Sequence, residues 1–322
     1  MFKARWSRLP ILAAVIFLSA CGGGSPVGPS PSTQLPASFS APTLSPGRVT
    51  IISIDGLRPD ALFEAGAPNI MALAGRGAFT WRAQTILPST TLPSHASMLT
   101  GYTPDVHGVT WDDYAPARGA LVVPTLFAIA KAHGLRTAMV VGKDKFAIFR
   151  DTGACDSWVL TARGDDDVAA QASSLPPGRP DLLFVHLPDV DLAGHASGWM
   201  SAAYLESVRH ADADVGRIVA ALPTDMTIVI TADHGGHQSG HGSDDPLDTT
   251  IPWIIVGPAI SRGKQLSSAV RTVDTAATAA FILGVQLSGD ASGRPVFEAM
   301  APQRLLQPEP GRATSLTAFP FR

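Results

Sequence analysis

Short apolar runs alternate along this chain with longer segments whose apolar residues recur every three or four positions. The runs 49–54, 137–141, 182–187, 227–231 and 252–256 are rich in β-branched residues and too brief for buried helices. Each predicts a strand buried on both faces. Between and after them, 67–76, 124–132, 201–222 and 272–283 carry the helical spacing. The clearest is 201–222, where Tyr204, Val208, Ala211, Val215, Ile218 and Leu222 fall on one stripe. Strands alternating with helices predict an α/β fold, with a mostly parallel central sheet and helices on both faces. Ligands of such sheets bind beyond the carboxyl ends of the strands.

Acidic and imidazole side chains collect at those ends. Asp55 directly follows the first run, and Asp191 closes L-L-F-V-H-L-P-D-V-D with His195 four residues on. The run 227–231 breaks into A-D-H-G-G-H-Q-S-G-H-G, which brings Asp233, His234, His237 and His241 close in sequence. Carboxylate and imidazole donors without a thiolate suit Zn²⁺ or another divalent first-row ion. Any one of these acids also reads as the N-cap of a following helix, and the histidines as solvent-facing turn residues. Taken together without a cation, the carboxylates would repel and one or more would take up a proton. Between Asp55 and Asp191 lies P-S-T-T-L-P-S-H, residues 88–95. A hydroxyl ahead of a Pro-started helix sits near its positive end, which favours phosphate-like anions, although it is also an ordinary cap. A threonine hydroxyl needs a metal to become a nucleophile near neutral pH.

Composition narrows the setting. The formal net charge is −3 and no basic cluster occurs, which argues against a nucleic-acid partner. Residues 48–300 suffice for one large domain with its own core, followed by a tail over 301–322. At the other end, Lys3, Arg5 and Arg8 precede an apolar run over 9–18 that is too short to span a bilayer. It ends in L-S-A-C, which resembles the processing site of bacterial lipoproteins. That resemblance implies a leader over 1–20, a lipidated Cys21 anchoring the chain at the periplasmic face and, with Gly22 next, the outer membrane. Residues 21–47, rich in Gly, Pro and Ser, read as a flexible tether. With Cys21 taken by lipid, Cys155 is a lone thiol, packed or idle, and no intrachain disulfide can form.

Six motifs occur in order: I-D-G at Asp55, P-S-T-T-L-P-S-H around Thr91, H-G-V-T-W-D-D-Y from His107, D-L-A-G-H at Asp191, T-A-D-H-G-G-H at Asp233, and H-G at His241. Together they resemble the alkaline phosphatase superfamily, in particular its type I phosphodiesterase/nucleotide pyrophosphatase branch, over 49–284. The resemblance implies an alkaline phosphatase-like fold, a small phosphorylated substrate and two divalent metal ions, Zn²⁺ first among them. It implies that Asp55, Thr91, Asp233 and His234 hold one ion, and Asp191, His195 and His241 the other. Thr91 would be the nucleophile of a two-metal phosphoryl transfer through a phosphothreonine. His241 matches the last ligand better than His237, because an apolar strand follows its H-G; His237 then backs the site or faces solvent. His95 and His107 are implied to hold the backbone around the nucleophile.

Other positions bear on the substrate. Relatives place Asn where this chain has Asp112, and a carboxylate there repels a phosphoryl oxygen unless it is protonated or offset by a cation. Lys143 and Lys145 resemble the lysine pair with which phosphomonoester- and phosphonoacetate-hydrolysing relatives hold extra substrate charge; they read equally as solvated loop lysines. Trp111 and Tyr114 could stack on a leaving group or pack. The expectations are thus a phosphodiesterase, with a monoesterase or phosphonoacetate hydrolase-like enzyme as the alternative, or a catalytically silent metal- or anion-binding surface lipoprotein. No C-x-P-x-R or S-x-P-x-R near Thr91 supports a sulfatase. The interval from Thr91 to Asp191 has no room for the inserted domain of a cofactor-independent phosphoglycerate mutase.

Overall fold

The computed structural model describes residues 46–175 and 180–302. The leader, Cys21, most of the tether and nearly all of the C-terminal tail lie outside the described residues. Eight strands form one sheet: β1 Arg48–Ile54, β2 Ala78–Gln84, β3 Thr137–Val141, β4 Ser157–Leu160, β5 Leu182–Leu187, β6 Met226–Thr231, β7 Thr250–Val256 and β8 Lys264–Gln265. The helices are α1 Pro59–Ala65, α2 Pro68–Arg76, α3 Thr91–Thr100, α4 Pro104–His107, α5 Leu126–Ala132, α6 Ala147–Arg150, α7 Asp165–Ser173, α8 Asp189–Ser197, α9 Ala202–Ala221, α10 Pro246–Thr249 and α11 Asp274–Leu283.

The strand order is β4-β3-β5-β1-β6-β7-β2-β8. The sheet is mostly parallel, as the alternation predicts; among the described strands only β7 runs against its neighbours. Strands β3, β5 and β6 are buried at every residue, and β1 at all but its first. Each fully buried Val, Ile or Leu there contributes about 1.5–3 kcal/mol of transfer free energy. The α9 stripe is buried as its spacing predicts, and Ser201 caps that helix by accepting the Tyr204 N–H at 3.2 Å. Helix α5 starts two residues later than its apolar pattern, because Thr125 caps it by accepting the Ala128 N–H. Strand β2 was not expected. Its alternation of buried and part-exposed residues is that of a strand toward the sheet's edge, without an uninterrupted apolar run.

Candidate active site

Register places the acids. Ser53 of β1 lies beside His186 of β5 on one side and Thr231 of β6 on the other. Asp55 and Asp233, each two residues further on, leave adjacent strands at the same level. The chain then turns sharply at Gly56, whose φ of 70° suits glycine and where a Cβ would stand 3.0 Å from the Asp191 backbone. This is why α8 can bring Asp191 against the end of β1. The turn is pinned by Trp199 Nε1 and Tyr204 OH, both donating to the Gly56 carbonyl at 2.9 Å. Gly236 is needed for a different reason: a Cβ there would lie 2.2 Å from the Trp199 ring.

Two ligand-like groups result. Asp55, Asp233 and His234 form one, Asp191, His195 and His241 the other, each with one donor atom per residue within 4.8 Å of the rest. They adjoin, with the His234 and His241 rings stacked 3.7 Å apart. All three imidazoles donate through Nδ1 to a backbone carbonyl: His234 to Gly235 at 2.8 Å, His195 to Ser239 at 3.0 Å and His241 to Ser89 at 2.9 Å. A carbonyl can only accept, so each Nε2 keeps its lone pair toward the centre in the neutral ring. The Nε2 atoms of His195 and His241 face each other at 3.1 Å. Opposite them, Asp55 Oδ1, Asp191 Oδ1 and Asp233 Oδ2 are buried and have no hydrogen-bond partner. Buried carboxylate oxygens that converge with imidazole nitrogens make a donor set that fits a divalent cation.

The electrostatics agree. Burial pushes the Asp233 carboxyl well up, and neighbouring Asp55 pushes it further. Burial works the same way on Asp55, but Lys143, His186 and His234 outweigh it and hold that carboxyl well below the usual range. Burial and then His234 press His241 down to about 4, leaving it neutral. Burial also opposes a charge on His234, yet Asp233 and Asp55 draw its imidazole up to about 10. The field that would hold a proton on that Nε2 is the field that would hold a metal there.

Lys143 sits between the groups, with Nζ 2.7 Å from Asp55 Oδ2 and 2.6 Å from Asp191 Oδ2. Lys145 faces elsewhere, 2.8 Å from Asp112 Oδ2. The two lysines thus do different things, separated by the 3-10 turn Asp144–Phe146 that follows β3. Asp112 Oδ1 accepts the Leu92 N–H at 2.7 Å, at the start of α3. Thr91 is the first residue of α3, and its Oγ1 lies 3.4 Å from His234 Nε2. His95 donates to the Thr91 carbonyl at 2.7 Å and accepts from Ser53 Oγ at 2.8 Å. His107 accepts the Val109 N–H and donates to Ser97 Oγ at 2.9 Å. His237 stands apart, donating to Asp248 at 2.7 Å. Tyr114 bonds Asp151, and Trp111 packs against the core with Arg118 over its ring. Sequence reasoning missed His186, whose Nε2 donates to Asp55 Oδ2 at 2.8 Å. A lone imidazole inside the apolar run of β5 was the available signal.

The model of type I phosphodiesterases/nucleotide pyrophosphatases matches residues 49–251, a span holding every member of both groups as well as Thr91. The chain belongs to that family. Family relatives include an uncharacterised pyrophosphatase/phosphodiesterase of Schizosaccharomyces pombe, 27% identical over 217 residues, covering 58% of this chain and 44% of that protein. The phosphopentomutase of Caldanaerobacter subterraneus is 28% identical over 163 residues, covering 50% of this chain and 40% of its own length. The chain therefore spans less than half of either relative. In fold it is similar to murine ectonucleotide pyrophosphatase/phosphodiesterase 5, with a TM-score of 0.70 at 12% identity over 79% of this chain and all of that one. That protein is seen in an inactive threonine-to-alanine form in complex with AMP.

Proposed function

We propose that this member of the family is a metal-dependent hydrolase of phosphoric esters, of the phosphodiesterase/nucleotide pyrophosphatase type, with Thr91 as nucleophile. The observation that carries this is the convergence of three partnerless buried carboxylate oxygens and three imidazole Nε2 atoms beside the Thr91 hydroxyl. Asp55, Asp233 and His234, with Thr91 Oγ1, would hold one divalent ion, and Asp191, His195 and His241 the second, Zn²⁺ being the natural candidate for N/O donors. When bound, the ions supply Lewis acidity that lowers the pKa of the attacking hydroxyl and offsets charge on the leaving oxygen. The chain supplies the rest. Helix α3 holds Thr91 Oγ1 at the carboxyl edge of the sheet, 3.4 Å from His234 Nε2, where it would attack phosphorus. Thr91 gives up its hydroxyl proton to solvent, and its O–P bond forms as the bond to the ester oxygen breaks. The leaving oxygen takes a proton from water, and a second water then cleaves the phosphothreonine to phosphate and free Thr91. Catalysis here is mostly positioning and charge neutralisation.

The test is hydrolysis of p-nitrophenyl phosphate and bis-p-nitrophenyl phosphate, with and without chelator. No turnover of either ester by metal-loaded protein would sink the reading in favour of a silent metal-binding lipoprotein. His186 provides a second test, since its hydrogen bond orients Asp55. His186→Phe keeps a ring against Phe146 but removes the donor, and should weaken metal binding about 10–100-fold in competition titrations with a chromogenic chelator. Unchanged affinity would show that Asp55 is oriented without it.

We also propose that Cys21 is lipidated and tethers the domain to the outer membrane from its periplasmic side, on the strength of the basic, apolar and small-residue pattern ahead of it. Cys21→Ser should move the protein from the membrane fraction to the soluble one. Retention on membranes after that change would contradict the assignment.

A further inference from the structure

The carboxylate of Asp112 holds two donors beside the nucleophile: the Leu92 N–H at 2.7 Å and the Lys145 ammonium at 2.8 Å. Leu92 is the residue after Thr91, and its amide belongs to the first turn of α3, where N–H groups have no partner within the helix. A helix-start amide and a lysine are the kinds of donor that bind a phosphoryl oxygen. Here an internal anion already occupies both.

We propose that Asp112 is a resident anion in the phosphoryl-oxygen seat, and that it sets the enzyme's preference for substrates of low negative charge. Phosphate enters by displacing this carboxylate from Leu92 and Lys145, or by lying against it. A monoester dianion then meets more repulsion than a diester monoanion. Solvent reaches this carboxylate: the Asp112 side chain is 35% exposed, whereas those of Asp55, Asp191 and Asp233 are at most 3% exposed. A plain helix cap would need only the Leu92 contact. The Lys145 pairing adds a cation that substrate could use, so the clasp stores both halves of an anion site. Lys143 lies apart from this clasp, 2.7 Å from Asp55 and 2.6 Å from Asp191.

The inference rests on the phosphoryl-transfer reading above, and the experiment separates the two. Metal-loaded full-length protein is titrated with inorganic phosphate by calorimetry, and kcat/KM is measured for p-nitrophenyl phosphate and bis-p-nitrophenyl phosphate. The variants are Asp112→Asn, Asp112→Ser, Lys145→Met and the Asp112→Asn/Lys145→Met pair, each checked by thermal melting. Asp112→Asn should tighten phosphate binding about 10–100-fold, the scale of one charge-assisted hydrogen bond, and lower the diester-to-monoester ratio of kcat/KM. Lys145→Met should cost more in the Asp112→Asn background than in wild type, since only there is the lysine free for phosphate. Asp112→Ser makes the same prediction as Asp112→Asn should the latter fold poorly. Phosphate binding unchanged or weaker in well-folded Asp112 variants would overturn the proposal, and so would equal Lys145→Met effects in both backgrounds. Phosphate binding with no ester turnover in wild type would instead overturn the hydrolase reading, while the phosphate affinities still decide the role of Asp112.

Discussion

Thr91→Ala should lower kcat for either chromogenic ester by at least about a thousandfold while leaving the fold in place. The hydroxyls around it are already committed. Ser89 Oγ donates to the Ser243 carbonyl, and Ser94 Oγ is bonded to Thr85 Oγ1. Thr91 Oγ1 faces a ligand-like atom, 3.4 Å from His234 Nε2. Its removal spares the local structure, because the tie from His95 is to the Thr91 carbonyl, which alanine retains. Alanine is also the better helix former at this position in α3. Thr90→Ala is the control: its side chain makes no capping bond, so most activity should survive. A Thr91→Ala variant that turned over while Thr90→Ala did not would show that the register of the nucleophile is wrong.

Asp55 and Asp233 stood out in the sequence because each follows an apolar run, whereas Thr91, His195 and His241 were singled out by the motif resemblance. Asp55 and Asp233 follow strands that are buried at nearly every position, and the parallel register carries them to one edge. The structure adds a reason for the glycine in D-H-G-G that the sequence did not show: the Trp199 ring leaves no room for a side chain at Gly236. What the sequence hid are contacts set by other segments. Lys143 and Lys145 look like one pair when read along the chain. In space, one spans Asp55 and Asp191 from separate strand ends and the other meets Asp112 from a distant loop. The motif resemblance raised Asp112 as a carboxylate offset by a nearby cation, but which lysine does it depends on a turn of 3-10 helix. His186 was hidden by its surroundings: an imidazole in an apolar strand gives no hint that its partner lies on the neighbouring strand, across the register of β1 and β5. Strand β2 escaped because toward the sheet's edge one face need not be apolar.

His195→Ala and His241→Ala should each cost one metal equivalent and nearly all turnover, whereas His237→Ala should keep both equivalents and most of the rate. The three histidines lie close in sequence or chemistry but differ in what their rings face. His195 and His241 present Nε2 atoms 3.1 Å apart, with Asp191 Oδ1 3.3 Å and 3.6 Å from them, and each is braced through Nδ1 by a carbonyl. Deleting either leaves one carboxylate and one imidazole, too few to retain a divalent ion against chelator. His237 spends its Nδ1 on Asp248, a residue that also accepts from Ser243 and keeps the loop before β7 in place. Its loss loosens that loop without removing a ligand-like atom from either group. Elemental analysis of the purified variants, alongside turnover, decides the assignment. Equal metal loss in His237→Ala and His241→Ala would mean that the second group is built differently. Retention of two equivalents in all three variants would mean that these imidazoles do not hold the ions at all.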